Sequence, residues 1–136
     1  MNTSVEIAGV TFKNPVITAS GTFGFGKEYS EFYPLSALGG ICTKGLTTEE
    51  RQGNPSPRVA ETPSGMLNSV GLQNPGVDYY LEHYDKWLSE QGTVVIANIA
   101  GHKLEDYSAM ARKISQSRAD MVELNISCPN VRSGGM

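Results

Sequence analysis

The sequence predicts an α/β domain built on a parallel β-sheet. Its 136 residues are enough for one domain with its own core. Four short apolar runs end in turns, and they cover residues 15–19, 40–43, 93–99 and 120–126. The runs are continuous rather than alternating, which is typical of strands covered on both faces. Segments with helical spacing separate them, and this alternation favours parallel strands joined by right-handed crossovers.

The first element is a predicted β-hairpin over residues 4–13. Apolar and polar residues alternate on both sides of Ala8-Gly9, and a glycine at this point is typical of a hairpin turn. Asn14-Pro15 then breaks the pattern. The run at 15–19 is expected to be a buried strand that empties into a loop at Ser20.

Two later segments have the spacing of amphipathic helices. In residues 77–91 the apolar stripe consists of Val77, Tyr80, Leu81, Tyr84 and Leu88. Residues 103–116 repeat this spacing, so we expect one helix over each segment. Residues 27–38 stay ambiguous because Pro34 interrupts them.

A long insertion covers residues 46–76. It contains four prolines, four glycines and few residues that favour helices. A loop of this length in a compact domain is usually functional, and we expect it to present Asn68, Ser69 and Gly71 to a ligand. A structural Ω-loop is the alternative interpretation.

Two architectures fit this order of elements. One is an open, doubly wound sheet, and the other is a (β/α)8 TIM barrel of which this chain supplies roughly the first four β/α units. Because such a barrel takes roughly 250 residues, the second interpretation makes residues 1–136 the N-terminal half of a single barrel domain and a fragment of a longer product.

Composition and charge exclude several classes of function. The chain has 11 Lys+Arg against 14 Asp+Glu, and no basic patch that would suit a nucleic acid. No apolar run approaches the roughly 20 residues of a membrane span, and the N-terminus lacks the pattern of a secretory signal, so the expected location is the cytoplasm. Two cysteines without a CxxC motif or a histidine cluster argue against a disulfide framework and a metal site.

The candidate site lies where the predicted strands end, because both architectures bind ligands at the carboxyl ends of parallel strands. The polar residues at these ends are Ser20, Lys44, Asn98, Asn125, Cys128 and Asn130. Together a lysine, several amides and a thiol can hold a flat polar heterocycle and move a proton. Taken singly, each has an ordinary structural explanation as the polar end of a strand.

Cys128 is the most informative of these residues. It lies between two asparagines and before Pro129, and a partly exposed thiol with a pKa of about 8.5 is a workable base at neutral pH. A small buried apolar group is the alternative, and this is our interpretation of Cys42, inside the second run. Lys44 is either a solvated lysine or a fixed cation for a developing negative charge, and Gly45 after it lets the backbone approach a ligand closely.

Several long motifs resemble one known family. They lie at residues 19–26, 43–47, 53–58, 61–76 and 125–131. Together they resemble the N-terminal half of class 1 dihydroorotate dehydrogenases, in particular the class 1B catalytic subunit, and the resemblance covers the whole chain.

The resemblance implies a (β/α)8 barrel that holds FMN and oxidises (S)-dihydroorotate to orotate in pyrimidine (UMP) biosynthesis. Cys128 matches the base that takes the proton from C5, while the hydride of C6 passes to the flavin. The matching FMN positions are Ser20, Lys44, Gly45, Asn98 and Asn125. The matching substrate positions are Lys44, Asn68, Ser69, Val70, Gly71, Leu72 and Asn125, with Asn130 as a further amide.

The class 1B resemblance also implies partners. Electrons would pass to NAD⁺ through a second subunit that carries FAD and a 2Fe–2S cluster, in a heterotetramer built on a homodimer. The alternatives are a class 1A-like enzyme that reduces fumarate, a related FMN-dependent pyrimidine reductase domain, and a non-catalytic half-barrel that only binds or assembles.

Overall fold

The computed structural model describes residues 2–127. The strands are β1 (Val5–Ile7), β2 (Val10–Phe12), β3 (Gly40–Cys42), β4 (Val59–Thr62), β5 (Gly65–Asn68), β6 (Val94–Ile99) and β7 (Met121–Leu124). The α-helices are α1 (Lys27–Ser30), α2 (Val77–His83), α3 (Asp85–Ser89) and α4 (Leu104–Ile114), and Leu35–Ala37 forms a 3₁₀ turn. The mixed α/β class with parallel strands is therefore confirmed.

The central sheet is parallel, in the order β3-β6-β7. Ile17 adds an isolated parallel bridge to Gly40 on the outer side of β3. The four predicted runs therefore lie side by side in chain order. Doubly wound sheets reverse their strand order at a switch point, and the described strands show no reversal, which favours the barrel over the open sheet.

The two faces of β6 bury different partners. Val95, Ala97 and Ile99 face the helices and pack in the main core, because alternate residues of a strand point to opposite sides. The other members of that core include Ile41, Tyr80, Leu88, Met110 and Ile114. Ile96 points the other way, into a second cluster.

The second cluster lies on the sheet face that is turned away from the helices. Its buried members are Phe12, Cys42 and Ile96. Phe12 belongs to the antiparallel pair β1–β2, whose strands are joined through Ala8-Gly9, with both residues at positive φ. The N-terminal hairpin thus packs against this face.

The prediction of a buried strand at 15–19 is wrong. Val16 is 55% exposed and Ile17 is 37% exposed, and the segment makes one bridge rather than a continuous ladder. Its side away from β3 meets no other strand among residues 2–127, so it lies at the edge of the described sheet. β7 has the same position at the opposite edge, where Val122 and Leu124 are exposed rather than covered.

The predicted single helix over residues 77–91 is divided at Tyr84. The backbone there has φ −121° and ψ −33°, outside the α-helical range, although Tyr84 still donates to the carbonyl of Tyr80. Asp85, the next residue, is buried and accepts hydrogen bonds from the backbone N–H and a guanidinium N–H of Arg118, both at 3.0 Å. Tyr84 itself stacks on Phe25. These tertiary contacts, which helical spacing does not encode, account for the break.

The insertion is not structureless. β4 and β5 form an antiparallel hairpin within it, with Val59 opposite Asn68 and Thr62 opposite Gly65. The side chains of this hairpin are largely solvent-exposed. No apolar pattern in the sequence therefore predicted its two strands. No helix within residues 2–127 is long and apolar enough to cross a membrane.

Candidate functional site

Polar groups converge at one edge of the parallel sheet, where β3, β6 and β7 end. Gly45 lies just beyond β3, Asn98 lies near the end of β6 and Asn125 follows β7. A Cβ atom placed on Gly45 would be 2.8 Å from Asn98 Oδ1 and 3.4 Å from Asn125 Nδ2. The same Cβ would be 2.9 Å from Leu72 Cδ1, so the insertion also reaches this point. Four residues that the sequence analysis singled out are therefore neighbours.

The two carboxamides are linked and their backbones are fixed. Asn125 Nδ2 donates to Asn98 Oδ1 at 3.4 Å, and Asn98 is 1% exposed. The backbone N–H of Asn125 donates to the carbonyl of Ile99 at 2.8 Å, and the Tyr107 hydroxyl donates to the carbonyl of Asn125 at 2.7 Å. Helix α4 thereby holds the loop that begins at Asn125.

Glu123 joins this group from β7. It pairs with Asn98 in the sheet register, and its Oε1 accepts hydrogen bonds from Asn98 Nδ2 and from the Cys42 thiol, the latter at 3.2 Å. Glu123 was not among the residues predicted from the sequence. A usable signal was its position two residues before Asn125, because residues i and i+2 of a strand point to the same face.

Cys42 is buried, as interpreted from the sequence, but its surroundings are more polar than expected. Burial raises the pKa of its thiol to about 12, with a further contribution from the hydrogen bond and charge of Glu123. Hydrogen bonds from the Asn98 side chain and the Ser20 backbone act in the opposite direction. The thiol is therefore protonated at neutral pH, and its contacts connect Ser20 with the carboxamide cluster.

Lys44 lies at the rim of the site. Its backbone N–H donates to the carbonyl of Gly24 at 2.8 Å, which joins the end of β3 to the loop after residues 15–19. A cavity of about 590 Å³ opens beside it. The lining of that cavity includes Lys44, Phe25, Glu28, Arg51, Asn74 and Tyr79.

The loop at residues 69–72 is held in place by two side chains of the insertion. Asn54 Nδ2 donates to the carbonyl and to the hydroxyl of Ser69 at 3.1 and 3.0 Å, and the Asn54 backbone N–H donates to the carbonyl of Val70. Arg51 Nε donates to the carbonyl of Gly71 at 3.0 Å. Leu72 follows with a positive φ of 57°, a conformation that is uncommon for a residue with a branched side chain.

Asn74 closes the base of the same loop. Its Oδ1 accepts from the backbone N–H groups of Thr47 and Gly76 at 3.0 and 2.9 Å, and its Nδ2 donates to the carbonyl of Leu72 at 2.8 Å. Asn74 is 5% exposed. Asn74 was not among the predicted site residues, although its place before Pro75-Gly76 is typical of a turn-forming asparagine.

The other predicted site residues are placed differently. Asn68 ends β5 and is exposed, one residue before the Ser69 hydroxyl that contacts Asn54. Cys128 and Asn130 lie outside the described residues, so their roles stay predictions.

The profile of the dihydroorotate dehydrogenase family matches residues 2–136. The chain belongs to the dihydroorotate dehydrogenase family.

Curated members of the dihydroorotate dehydrogenase family are similar over the full length of this chain. The protein of Petrotoga mobilis named dihydroorotate dehydrogenase B (NAD(+)), catalytic subunit, is 54% identical over 136 residues, which are 100% of this chain and 45% of that protein. The protein of the same name from Oceanobacillus iheyensis is 55% identical over 137 residues, with the same coverage. The chain thus spans about half the length of these relatives.

The fold resembles that of a solved member. A crystal structure of the dihydroorotate dehydrogenase of Eimeria tenella in complex with ferulenol superposes with a TM-score of 0.74 at 23% identity, over 96% of this chain and 38% of that one. At this identity the likeness concerns the fold.

Proposed function

We propose that this chain forms the N-terminal half of the barrel of an FMN-dependent dihydroorotate dehydrogenase, which oxidises (S)-dihydroorotate to orotate in pyrimidine biosynthesis. The observation that carries the proposal is the meeting of Gly45, Asn98 and Asn125 at the carboxyl end of the sheet. Ligands of parallel α/β folds bind at this end. Membership of the family supplies the substrate class.

The chemistry of the converging groups fits a flavin. A carboxamide offers both a donor and an acceptor, and Asn98 and Asn125 place two of them side by side, which suits the alternating donors and acceptors of a flat heterocycle. Gly45 is buried, and its lack of a side chain lets the two carboxamides pack directly against its backbone. The residues that would hold FMN are Ser20, Lys44, Gly45, Asn98 and Asn125. Bound FMN would supply the acceptor for the hydride of C6.

The substrate would be held between the strand ends and the insertion. The Lys44 ammonium would offset the charge of the substrate carboxylate, and the carboxamides of Asn125 and Asn130 would pair with polar edges of its ring. The insertion would contribute Asn68, Ser69, Val70, Gly71 and Leu72. Asn54 and Arg51 support this role because they fix residues 69–71 before any ligand arrives.

Cys128 would remove the proton from C5 of dihydroorotate. A thiolate formed near neutral pH is a competent base, whereas the high pKa of Cys42 makes that second thiol unsuited to the role. We thus assign the role of the base to Cys128 and a structural role to Cys42.

The remaining parts of the proposal concern the whole protein. The second half of the barrel would close the sheet next to β7 and next to residues 15–19. The names of the relatives favour the NAD⁺-linked type, so we propose a homodimer joined to an electron-transfer subunit with FAD and a 2Fe–2S cluster, located in the cytoplasm.

The test uses the natural full chain that contains these residues, with and without co-expressed electron-transfer subunit. We expect orotate formation with NAD⁺ as acceptor in the presence of that subunit, and its loss in Cys128→Ala. Ser108→Ala, at an exposed position of α4, is the control and should keep the activity. Orotate formation with fumarate alone would assign the class 1A-like alternative, and FMN binding without any turnover of dihydroorotate would contradict the proposal.

A further inference from the structure

The Glu123 carboxylate contacts one residue of the proposed FMN site, Asn98, and one buried thiol outside that site, Cys42. Its Oε1 accepts a hydrogen bond from Asn98 Nδ2 and one from the Cys42 thiol at 3.2 Å. All three residues lie on the sheet face opposite the helices, on the adjacent strands β3, β6 and β7. Glu123 is solvent-exposed on the edge strand β7 and lies level with Asn98 in the sheet register.

An ionised carboxylate accepts hydrogen bonds and donates none, whereas a carboxamide has one donating and one accepting end. Contact with Glu123 therefore requires the NH₂ end of Asn98 to point toward β7. The oxygen of Asn98 is then presented to Asn125 Nδ2, at 3.4 Å. Without the carboxylate, a half-turn of the carboxamide would exchange the two ends at little steric cost.

Cys42, on β3, also donates to the Glu123 oxygen that accepts from Asn98 and so helps to keep it in this position. Cys42 is 3% exposed, and its backbone N–H donates to the Thr18 hydroxyl at 3.1 Å, which fixes the residue on β3. The raised pKa of the thiol means that it retains its proton and serves as the donor.

We propose that Glu123 is a positioning residue, which sets the orientation of the Asn98 carboxamide and through it that of Asn125. The inference rests on the proposed function, since it assumes that these carboxamides contact the flavin. Asn98 would then present its oxygen, an acceptor, and Asn125 would present its NH₂ group, a donor. The Glu123 carboxylate would thus determine that the site binds a ligand edge with a donor facing Asn98 and an acceptor facing Asn125.

Three variants of the natural full chain separate orientation from simple packing. Glu123→Met removes the acceptor at similar length, Glu123→Gln keeps a neutral acceptor, and Glu105→Met changes an exposed glutamate of α4 as a control. The measurements are the FMN dissociation constant by fluorescence quenching and the absorption spectrum of the bound flavin. We expect Glu123→Met to weaken FMN binding at least tenfold and to shift the spectrum, Glu123→Gln to stay within about threefold, and Glu105→Met to match the wild type.

A second experiment needs no flavin. Asn98→Asp places a carboxylate against Glu123, so it should lower the urea midpoint of unfolding, and adding Glu123→Gln should restore most of the loss because the glutamine can donate to the new carboxylate. Additive effects of the two changes would overturn the proposed contact. Unchanged flavin affinity and spectrum in Glu123→Met would overturn the positioning role.

The two proposals fail in different ways. FMN binding that depends on Glu123, in a protein that does not oxidise dihydroorotate, would contradict the proposed function and leave the positioning role intact. A wild-type protein that binds no FMN would contradict both, even if the urea experiment still showed the contact between Asn98 and Glu123.

Discussion

Asn125 Nδ2 lies 3.4 Å from Asn98 Oδ1, across the ends of two neighbouring parallel strands. The register of β6 and β7 produces this contact, because it pairs Ile99 with Leu124 and leads Asn125 to donate its backbone N–H to Ile99. Two amides that are 27 positions apart in sequence thus become adjacent through backbone pairing alone. The candidate site is a direct consequence of the parallel sheet.

Substitution of Gly45 tests how closely Asn98, Asn125 and Leu72 pack around it. In Gly45→Ala the new methyl group would lie 2.8 Å from Asn98 Oδ1 and 2.9 Å from Leu72 Cδ1, so both must move. We expect a loss of about 1–3 kcal/mol in the free energy of unfolding and FMN binding weakened by at least about tenfold. Urea unfolding and fluorescence titration would measure the two effects.

Gly21→Ala is the control for this experiment. A Cβ there meets no atom within 4 Å, and we expect both measurements to stay at wild-type values. Equal effects of the two substitutions would show that the crowding around Gly45 is not the cause.

Asn74→Ala should destabilise the insertion. It leaves the buried N–H groups of Thr47 and Gly76 without the acceptor they use here, and we expect a loss of about 2–4 kcal/mol in the free energy of unfolding. Gln52→Ala removes an exposed amide from the same insertion and should change stability by less than about 0.5 kcal/mol. A loss in Asn74→Ala no larger than in Gln52→Ala would refute the role assigned to Asn74.

Arg51→Ala should loosen the loop at residues 69–72. Its guanidinium donates to the carbonyl of Gly71 and contacts His102 Nε2 at 3.1 Å, so it connects the loop to the end of β6. Since a hydrogen bond from a charged donor contributes about 1.5–3 kcal/mol, we expect the KM for dihydroorotate to rise about tenfold with kcat nearly unchanged. Steady-state kinetics would measure this, with Arg112→Ala on the exposed side of α4 as control. A fall in kcat at constant KM would contradict it.

The buried thiol predicts a stability change at high pH. The pKa of Cys42 is about 12 in the folded chain against an ordinary value of 9.0, so the unfolded chain loses this proton first. Stability from this group is complete below pH 9 and declines between pH 9 and 12, by at most about 1.4 kcal/mol per pH unit. From pH 8 to pH 10 the wild type should therefore lose about 1.4 kcal/mol more than Cys42→Ala in urea unfolding. Parallel losses in the two proteins would show that Cys42 does not titrate in this way.

The sequence predicted the elements whose signal is local. The runs at residues 40–43, 93–99 and 120–126 and the helix at 103–116 appear within a few residues of their expected bounds, since apolar spacing determines them. Gly45, Asn98 and Asn125 could be placed at one edge because parallel strands all end there.

The predictions that were wrong or incomplete concern features that tertiary contacts determine. The apolar spacing continues through Tyr84, so it does not predict that the Asp85 carboxylate accepts hydrogen bonds from Arg118 and that the helix is divided there. The run at 15–19 is apolar yet exposed, because apolar composition alone does not say how many neighbours a strand has. Glu123 was overlooked since its partners, Asn98 and Cys42, are distant in sequence, although the period of two along β7 carried the signal.

The most direct test of the central claim is an anaerobic half-reaction in the natural full chain loaded with FMN. Dihydroorotate is added, and the yellow absorption band of the flavin is followed in the wild type and in Cys128→Ala. We expect the band to bleach in the wild type and to bleach about 10²–10⁴ times more slowly in Cys128→Ala, the usual contribution of a general base. A band that persists in the wild type, or equal rates in the two proteins, would contradict the account.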